Sequence, residues 1–282
     1  MDKRRLIEAI AFWGLRAMVL VVLFVVCSIL YFICSNGVSV ISWEFISEMP
    51  KSGMTEGGIF PAIIGTGYLV FFSMLFSLPI GVFAGIYLQE YATEGVVTKI
   101  IRIATNNLAG VPSVVFGLFG MMLFVNYLGF GASILSGSLT LALVALPVII
   151  RTTEEALKTV PHEWREGSLA LGATKWQTIY KVILPAAYSG IMTGSILSVG
   201  RVAGETAPIL FTCAAYFLPR LPESVFDEVM ALPYHLYVIS TSGTQIEKTR
   251  PLAYGTALVL LVIVVITNLV AVYLRNKFKI KQ

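Results

Sequence analysis

Arg201, Glu205 and Thr206 stand together in an otherwise apolar run of about 29 residues, positions 186–214. An arginine guanidinium is a planar fork of five donors that matches an oxyanion two bonds at a time. Glu205 follows four residues later, so the two side chains meet along one face of a helix. From there the carboxylate can hold the guanidinium in place and accept a proton from an anion that carries one. Thr206 adds a hydroxyl donor at the next position. The same pair can instead be a self-neutralising contact that tolerates burial. Either way, energetics exclude lipid on that face. A charge at the centre of a membrane helix costs roughly 2.5–3.5 kcal/mol. The eight strongly apolar neighbours return roughly 0.3–0.6 kcal/mol each, about as much as one charge takes. The segment needs a pairing partner or a wet cavity.

The elements that carry such residues are membrane helices. Of 282 residues, 57% are apolar or aromatic and 13% are charged, and mean hydropathy is +0.83. Soluble domains carry about 25% charge, so that class is excluded, as are disordered and collagen-like chains. Six stretches approach or exceed the ~20 apolar residues that span a bilayer: about 11–34, 61–88, 104–128, 131–150, 186–214 and 252–274. The expected fold is an all-α integral membrane protein with six transmembrane helices, read as one domain over 1–282. The first run follows Lys3, Arg4 and Arg5 but is too long for a cleaved signal peptide, so it reads as an uncleaved span. Pro79, Pro112 and Pro147 are expected to kink spans two to four.

Charge placement orients the chain. With the N-terminus inside, fifteen of the twenty Lys and Arg residues fall in inner segments, Lys279 and Lys281 among them, and four (Lys51, Arg220, Lys248, Arg250) fall outside. The positive-inside rule then puts both termini in the cytoplasm. Cys27, Cys34 and Cys213 lie in or beside apolar stretches and read as small buried hydrophobes. His162 and His235 are isolated in sequence, so no metal site is expected, and no cofactor. No G-x-x-x-x-G-K-[ST] loop occurs, so the chain does not bind ATP in the P-loop manner. Gly81/Gly85, Gly190/Gly194 and Gly200/Gly204 have the spacing of close helix packing.

Two loops are long, the inner one at 151–184 and the outer one at about 215–251. In the inner loop, Pro161 suits a first helical turn and Gly172 a helix stop. Trp164, Ser168 and Leu171 share one face. Thr174-Lys175-Trp176-Gln177 is a capping-box pattern opening a second short helix, which Leu184-Pro185 ends as it starts the next span. The pattern alone allows an amphipathic helix pair resting on the membrane or a surface that docks a partner protein.

Glu166-Gly167-Ser168-x-x-x-Gly172, followed nine residues later by Val182-Ile183-Leu184-Pro185, resembles the EAA-x3-G-x9-I-x-L-P loop of bacterial ABC-importer permeases. Gly167 and Ser168 replace two alanines and Val182 an isoleucine. PIGVFAGIYLQEYA (79–92), NLAGVPSVVFGLFG (107–120), RTTEEALKTVP (151–161) and GRVAGETAPILFT (200–212) resemble the phosphate-importer permeases. GETAPILFT and ALPYHLYVIS (231–240) resemble the PstA-type subunit rather than its PstC-type partner.

The resemblance implies a type I, MetI-like permease core with cytoplasmic coupling helices. It implies a non-catalytic transport subunit, with Glu166, Gly167, Ser168 and Gly172 coupling to a separate ATPase. It places Arg201, Glu205 and Thr206 on a phosphate path. The implied partners are a second, related permease of PstC type, an ABC ATPase dimer, an extracytoplasmic phosphate-binding protein and membrane lipid, with no nucleic acid. The readings left beside this one are the PstC-type half, a permease for another oxyanion, a secondary anion transporter and an intramembrane enzyme. The outer stretch 231–240 is expected to dip into the membrane as a gate.

Overall fold

The computed structural model describes residues 3–93, 95–242 and 246–277; Lys279 and Lys281 lie outside them. Helix α1 (Lys3–Gly37) is followed by a short helix α2 (Trp43–Ser47) and a two-stranded hairpin, β1 (Pro50–Lys51) with β2 (Glu56–Gly57). Then come α3 (Phe60–Ile86), α4 (Val96–Ala109), α5 (Ser113–Gly120), α6 (Ile134–Lys158), α7 (His162–Ala170), α8 (Lys175–Thr178) and α9 (Leu184–Gly204). The last elements are α10 (Ala207–Thr212), α11 (Leu232–Thr241) and α12 (Ile246–Lys277). Among the described residues, α1, α3, α6, the joined α8–α9 and α12 are long and apolar enough to cross a membrane. The bent pair of α4 with α5 and its continuation to Tyr127 supplies a sixth candidate.

Four of the expected elements are corrected. The run 104–128 is not one rod, because α4 and the helix starting at Ser113 meet at 103°. Pro112 supplies no amide hydrogen and holds its own backbone extended (φ −56°, ψ 137°), so the helix stops and restarts. Pro79 and Pro147, by contrast, sit inside unbroken α3 and α6. Helix α6 continues to Lys158, beyond the expected end at 150. Leu184-Pro185 does not end a helix either. A wide π turn over Ile179–Ile183 joins α8 to α9, which starts at Leu184 as expected, and the irregular turn accommodates the missing amide hydrogen of Pro185 inside the continuous helix. Finally, the run 186–214 breaks after Gly204, and α10 is a separate short helix.

Packing centres on α3, α6 and α9. Glycines of α3 and α9 let their backbones lie against α6, with Gly81 facing Ile149, Gly85 facing Thr153, Gly190 facing Ala156 and Gly194 facing Thr152. Leu69, Leu141, Ala145, Ile149, Val202 and Ile209 form the core between them. Helix α1 stands apart and touches the bundle through α12, where Phe32 meets Tyr254 edge-on at 5.5 Å. Most of its described apolar side chains are otherwise exposed, including Cys27, which is therefore not the buried hydrophobe expected, while Cys34 is half-buried.

At the end of the bundle opposite α7, the hairpin, α2 and the segment from Ala214 to Thr241 form a cap around Phe45, Met54, Met230 and Leu232. Asp227 accepts from the amides of Glu223 at 2.8 Å and Ser224 at 3.0 Å, which lowers its pKa. The cap is keyed into α3. A Cβ at Gly65 would collide with the Met230 carbonyl and the Val229 side chain, and Leu232 N donates to Thr66 Oγ1 at 2.9 Å. Gly65→Ala is expected to destabilise the protein by about 1–3 kcal/mol, the usual cost of overpacking. Gly67→Ala, where a Cβ meets nothing within 4 Å, is expected to be neutral. Thermal unfolding of the two purified variants checks the contrast.

Candidate functional site

Two groups of sequence-selected residues sit near the two ends of the continuous helix from Lys175 to Gly204. Arg201 belongs to the last turn of α9, where a cation also suits the negative helix end. Its Nε donates to Glu205 Oε1 at 3.3 Å. The arginine side chain is 37% exposed and the carboxylate 14%. Glu205 is extended (φ −70°, ψ 129°), and Thr206 next to it opens α10. Structure thus brings Arg201, Glu205 and Thr206 together at a break between two helices. Lipid-facing backbone must stay hydrogen-bonded, so breaks at membrane depth persist only where protein or a wet cavity surrounds them.

The depth of this pair differs from the midpoint expected of the run 186–214. Arg201 lies about 26 Å along α9 from Leu184 at 1.5 Å per residue. Glu205 lines a small cavity with Thr66, Leu141, Ala231 and Pro233. Leu141 is about 10 Å from the far end of α6 by the same rise. The charged pair is therefore displaced toward the end that carries the cap.

Further polar groups come to α9 from α12. Asn268 stands against Gly200, with its Oδ1 buried and without a hydrogen-bond partner. Arg275 Nη1 donates to Thr193 Oγ1 at 3.1 Å. Asn268 was visible in sequence as a lone amide within the apolar run 252–274, but nothing local says that it meets Gly200.

At the other end, Pro161 precedes α7 and Gly172 follows it with φ +85°, a left-handed value that glycine adopts without strain. Thr174 and Gln177 form the expected capping box. Glu166 is exposed and pairs with His162 Nδ1 at 3.2 Å. A Cβ on Gly167 would meet nothing within 4 Å. Ser168 turns inward, its Oγ 2.9 Å from Thr178 Oγ1, so it does not share the open face of Glu166 and Gly167. Leu171 lies just past the helix and is 91% exposed, while Trp164, Trp176 and Tyr180 are exposed nearby. The result is a polar and aromatic surface with an open glycine at its centre.

No local sequence pattern indicates what holds α7. Arg165 Nη2 donates to Glu90 Oε1 at 2.8 Å and to the Leu157 carbonyl at 2.8 Å, and its Nη1 donates to the Val160 carbonyl at 2.7 Å. These are side chains 75 positions apart. Lys175 Nζ stands 4.8 Å from the centre of the Tyr91 ring. A parallel fastening secures α4, whose Arg102 donates to the Leu88 carbonyl at 3.0 Å and contacts Glu154 at 3.1 Å.

With this geometry in hand, likeness to known proteins is informative. A family profile described as "Binding-protein-dependent transport system inner membrane component" matches residues 77–280. The "Probable ABC transporter permease protein YqgI" of Bacillus subtilis (strain 168) is 36% identical over 278 residues, covering 94% of this chain and 93% of the relative. The "Phosphate transport system permease protein PstA" of Xylella fastidiosa (strain Temecula1 / ATCC 700964) is 34% identical over 245 residues, covering 86% and 84%. Among solved structures, a bacterial alginate ABC transporter in complex with its pentasaccharide-bound periplasmic protein has a chain superposing with TM-score 0.69 at 14% identity, covering 95% of both chains. An inward-facing MetNI methionine ABC transporter gives TM-score 0.60 at 18% identity, covering 78% of this chain and 94% of that one. Identities this low establish a shared fold and no more.

Proposed function

The chain belongs to the binding-protein-dependent transport system inner membrane components, a family of multi-pass ABC-importer permeases, and on that premise we propose that it is a PstA-type permease subunit of an ATP-driven inorganic phosphate importer. It contributes half of the translocation path and performs no catalysis itself. Its partners are a second permease of PstC type, two copies of an ABC ATPase and an extracytoplasmic phosphate-binding protein. Both termini and α7 face the cytoplasm, and the cap faces outward.

The observation that carries this reading is the Arg201–Glu205 pair at the break between α9 and α10, in a chain whose PstA relatives are 32–38% identical. Arg201 offers donors to a phosphate oxygen, and Glu205 accepts the proton of hydrogen phosphate, which sulfate lacks at neutral pH. The partial exposure of the guanidinium supports a path completed by a second permease. On the cytoplasmic side, Glu166, Gly167 and the turn at Gly172 dock the ATPase, with Ser168 bracing α7 from within. The open space over Gly167 supports that role.

Radiolabelled phosphate uptake tests the assignment. Cells whose own importer lacks its permease are expected to regain uptake when this chain is supplied with its partners. Excess arsenate is expected to compete and excess sulfate is not. Competition by sulfate as strong as by arsenate would place the substrate elsewhere among the oxyanions.

A further inference from the structure

Helix α7 is joined by the chain only to α6 and α8, yet it is also fastened to α3. Arg165 reaches Glu90 in the π turn Tyr87–Tyr91 that ends α3, with contacts of 2.8 Å from Nη2 and 3.3 and 3.4 Å from Nε. Both side chains are withdrawn from solvent, at 15% and 8% exposure. Apolar side chains of similar volume often stabilise such a contact as well or better, so a buried ion pair is poor evidence for stability alone. What it supplies is a fixed geometry.

From Glu90 to its start, α3 runs without a break and packs on α6 through Gly81 and Gly85. Its far end is keyed to the cap, with Gly65 against the Met230 carbonyl and Thr66 accepting from Leu232 N. Thr66, Ala231 and Pro233 line the cavity of Glu205. Thr66 and Glu90 are about 36 Å apart along the helix at 1.5 Å per residue. Its close packing on α6 ties the two ends of α3 together, although Pro79 and the π turn lie between them.

We propose that Arg165 and Glu90 are positioning residues for transport: their ion pair makes α3 follow α7, and α3 carries that movement to the cap segment 229–233 beside Glu205. This rests on the importer reading above. Neutralising Glu90 removes the ion pair alone, because Arg165 keeps its carbonyl acceptors on Leu157 and Val160, and the Lys175–Tyr91 contact and the apolar packing of Ile86 remain.

The test is the complete complex in proteoliposomes, with phosphate uptake and ATP hydrolysis read in the same vesicles. With Glu90→Gln, the ATPase is expected to copurify and hydrolyse ATP as before, while phosphate imported per ATP falls about five- to tenfold. Arg165→Lys keeps the charge but loses the fork and is expected to fall between Glu90→Gln and the unsubstituted protein. An unchanged ratio in both variants overturns the proposal. So does a proportional fall in uptake and hydrolysis with the ATPase lost from the purified complex, which would make the pair a folding or docking contact. Failure of the unsubstituted complex to import phosphate overturns the importer reading itself, and is seen before any variant is compared.

Discussion

Arg201→Gln is expected to abolish phosphate uptake while the complex stays assembled. Glutamine retains length and donors but loses the charge and the planar fork. Arg201 is 37% exposed in this chain alone, so the cost of about 2–5 kcal/mol for truncating a charge-assisted contact in a desolvated site, roughly thirty- to several-thousandfold, applies once a second permease closes the path. The variant also removes the partner of Glu205, held at 3.3 Å, and a cation from the last turn of α9. That helix-end term is worth about 0.3–1 kcal/mol, too little to explain loss of uptake. Copurification of the partners separates the effects, since a purely structural role would reduce assembly and uptake together. Arg201→Lys is expected to retain part of the activity, because a point charge replaces the fork. Normal uptake with Arg201→Gln would remove Arg201 from the path.

Gly167→Trp is expected to uncouple transport from ATP hydrolysis without disturbing the chain itself. A Cβ at Gly167 meets no atom of this chain within 4 Å, and replacing glycine in a helix favours the helix by a few tenths of a kcal/mol. Thermal stability of the isolated subunit should therefore be unchanged. The Cβ position is open, so the added bulk falls chiefly on whatever covers α7. At a close-packed interface, overpacking costs about 1–3 kcal/mol, or roughly five- to hundredfold in affinity. Uptake is expected to fall, and hydrolysis is expected to lose its dependence on the binding protein. Wild-type behaviour in both assays would show that no partner approaches this glycine closely.

Sequence reading succeeded where the signal is local. The capping box at Thr174 and Gln177 and the helix stop at Gly172 each depend on a few neighbouring residues, and each has its expected form, whereas Pro112, expected to kink a span, breaks it. The Arg201–Glu205 contact was legible for the same reason, since helix geometry puts residues four apart on one face. It failed where one turn can absorb a local signal. Pro185 looked like a terminator, but a π turn immediately before it lets the helix continue. Helix ends were also misplaced: α6 runs on through charged residues to Lys158, past its apolar stretch, whereas α9 stops at Gly204 inside one, because apolar composition does not mark where hydrogen bonding changes.

Contacts set by packing were invisible. Glu90 and Arg165 are separated by 75 positions, and Thr66 and Leu232 by 166. Neither pair leaves a mark in its own neighbourhood. Ser168 shows the same limit in miniature, for its motif assigned it to docking and its hydroxyl faces Thr178.

By itself the sequence determined that this is a membrane protein, which charges are scarce enough to matter, and which segment differs from lipid-facing helix. Those properties are additive over residues and periodic along a helix, so composition and spacing contain them. Only the tertiary structure decided where along the bundle the charged pair lies, which face of α7 is open, and that α3 contacts both α7 and the cap. These depend on which distant segments meet, and a chain of interchangeable apolar helices does not encode that in any local pattern.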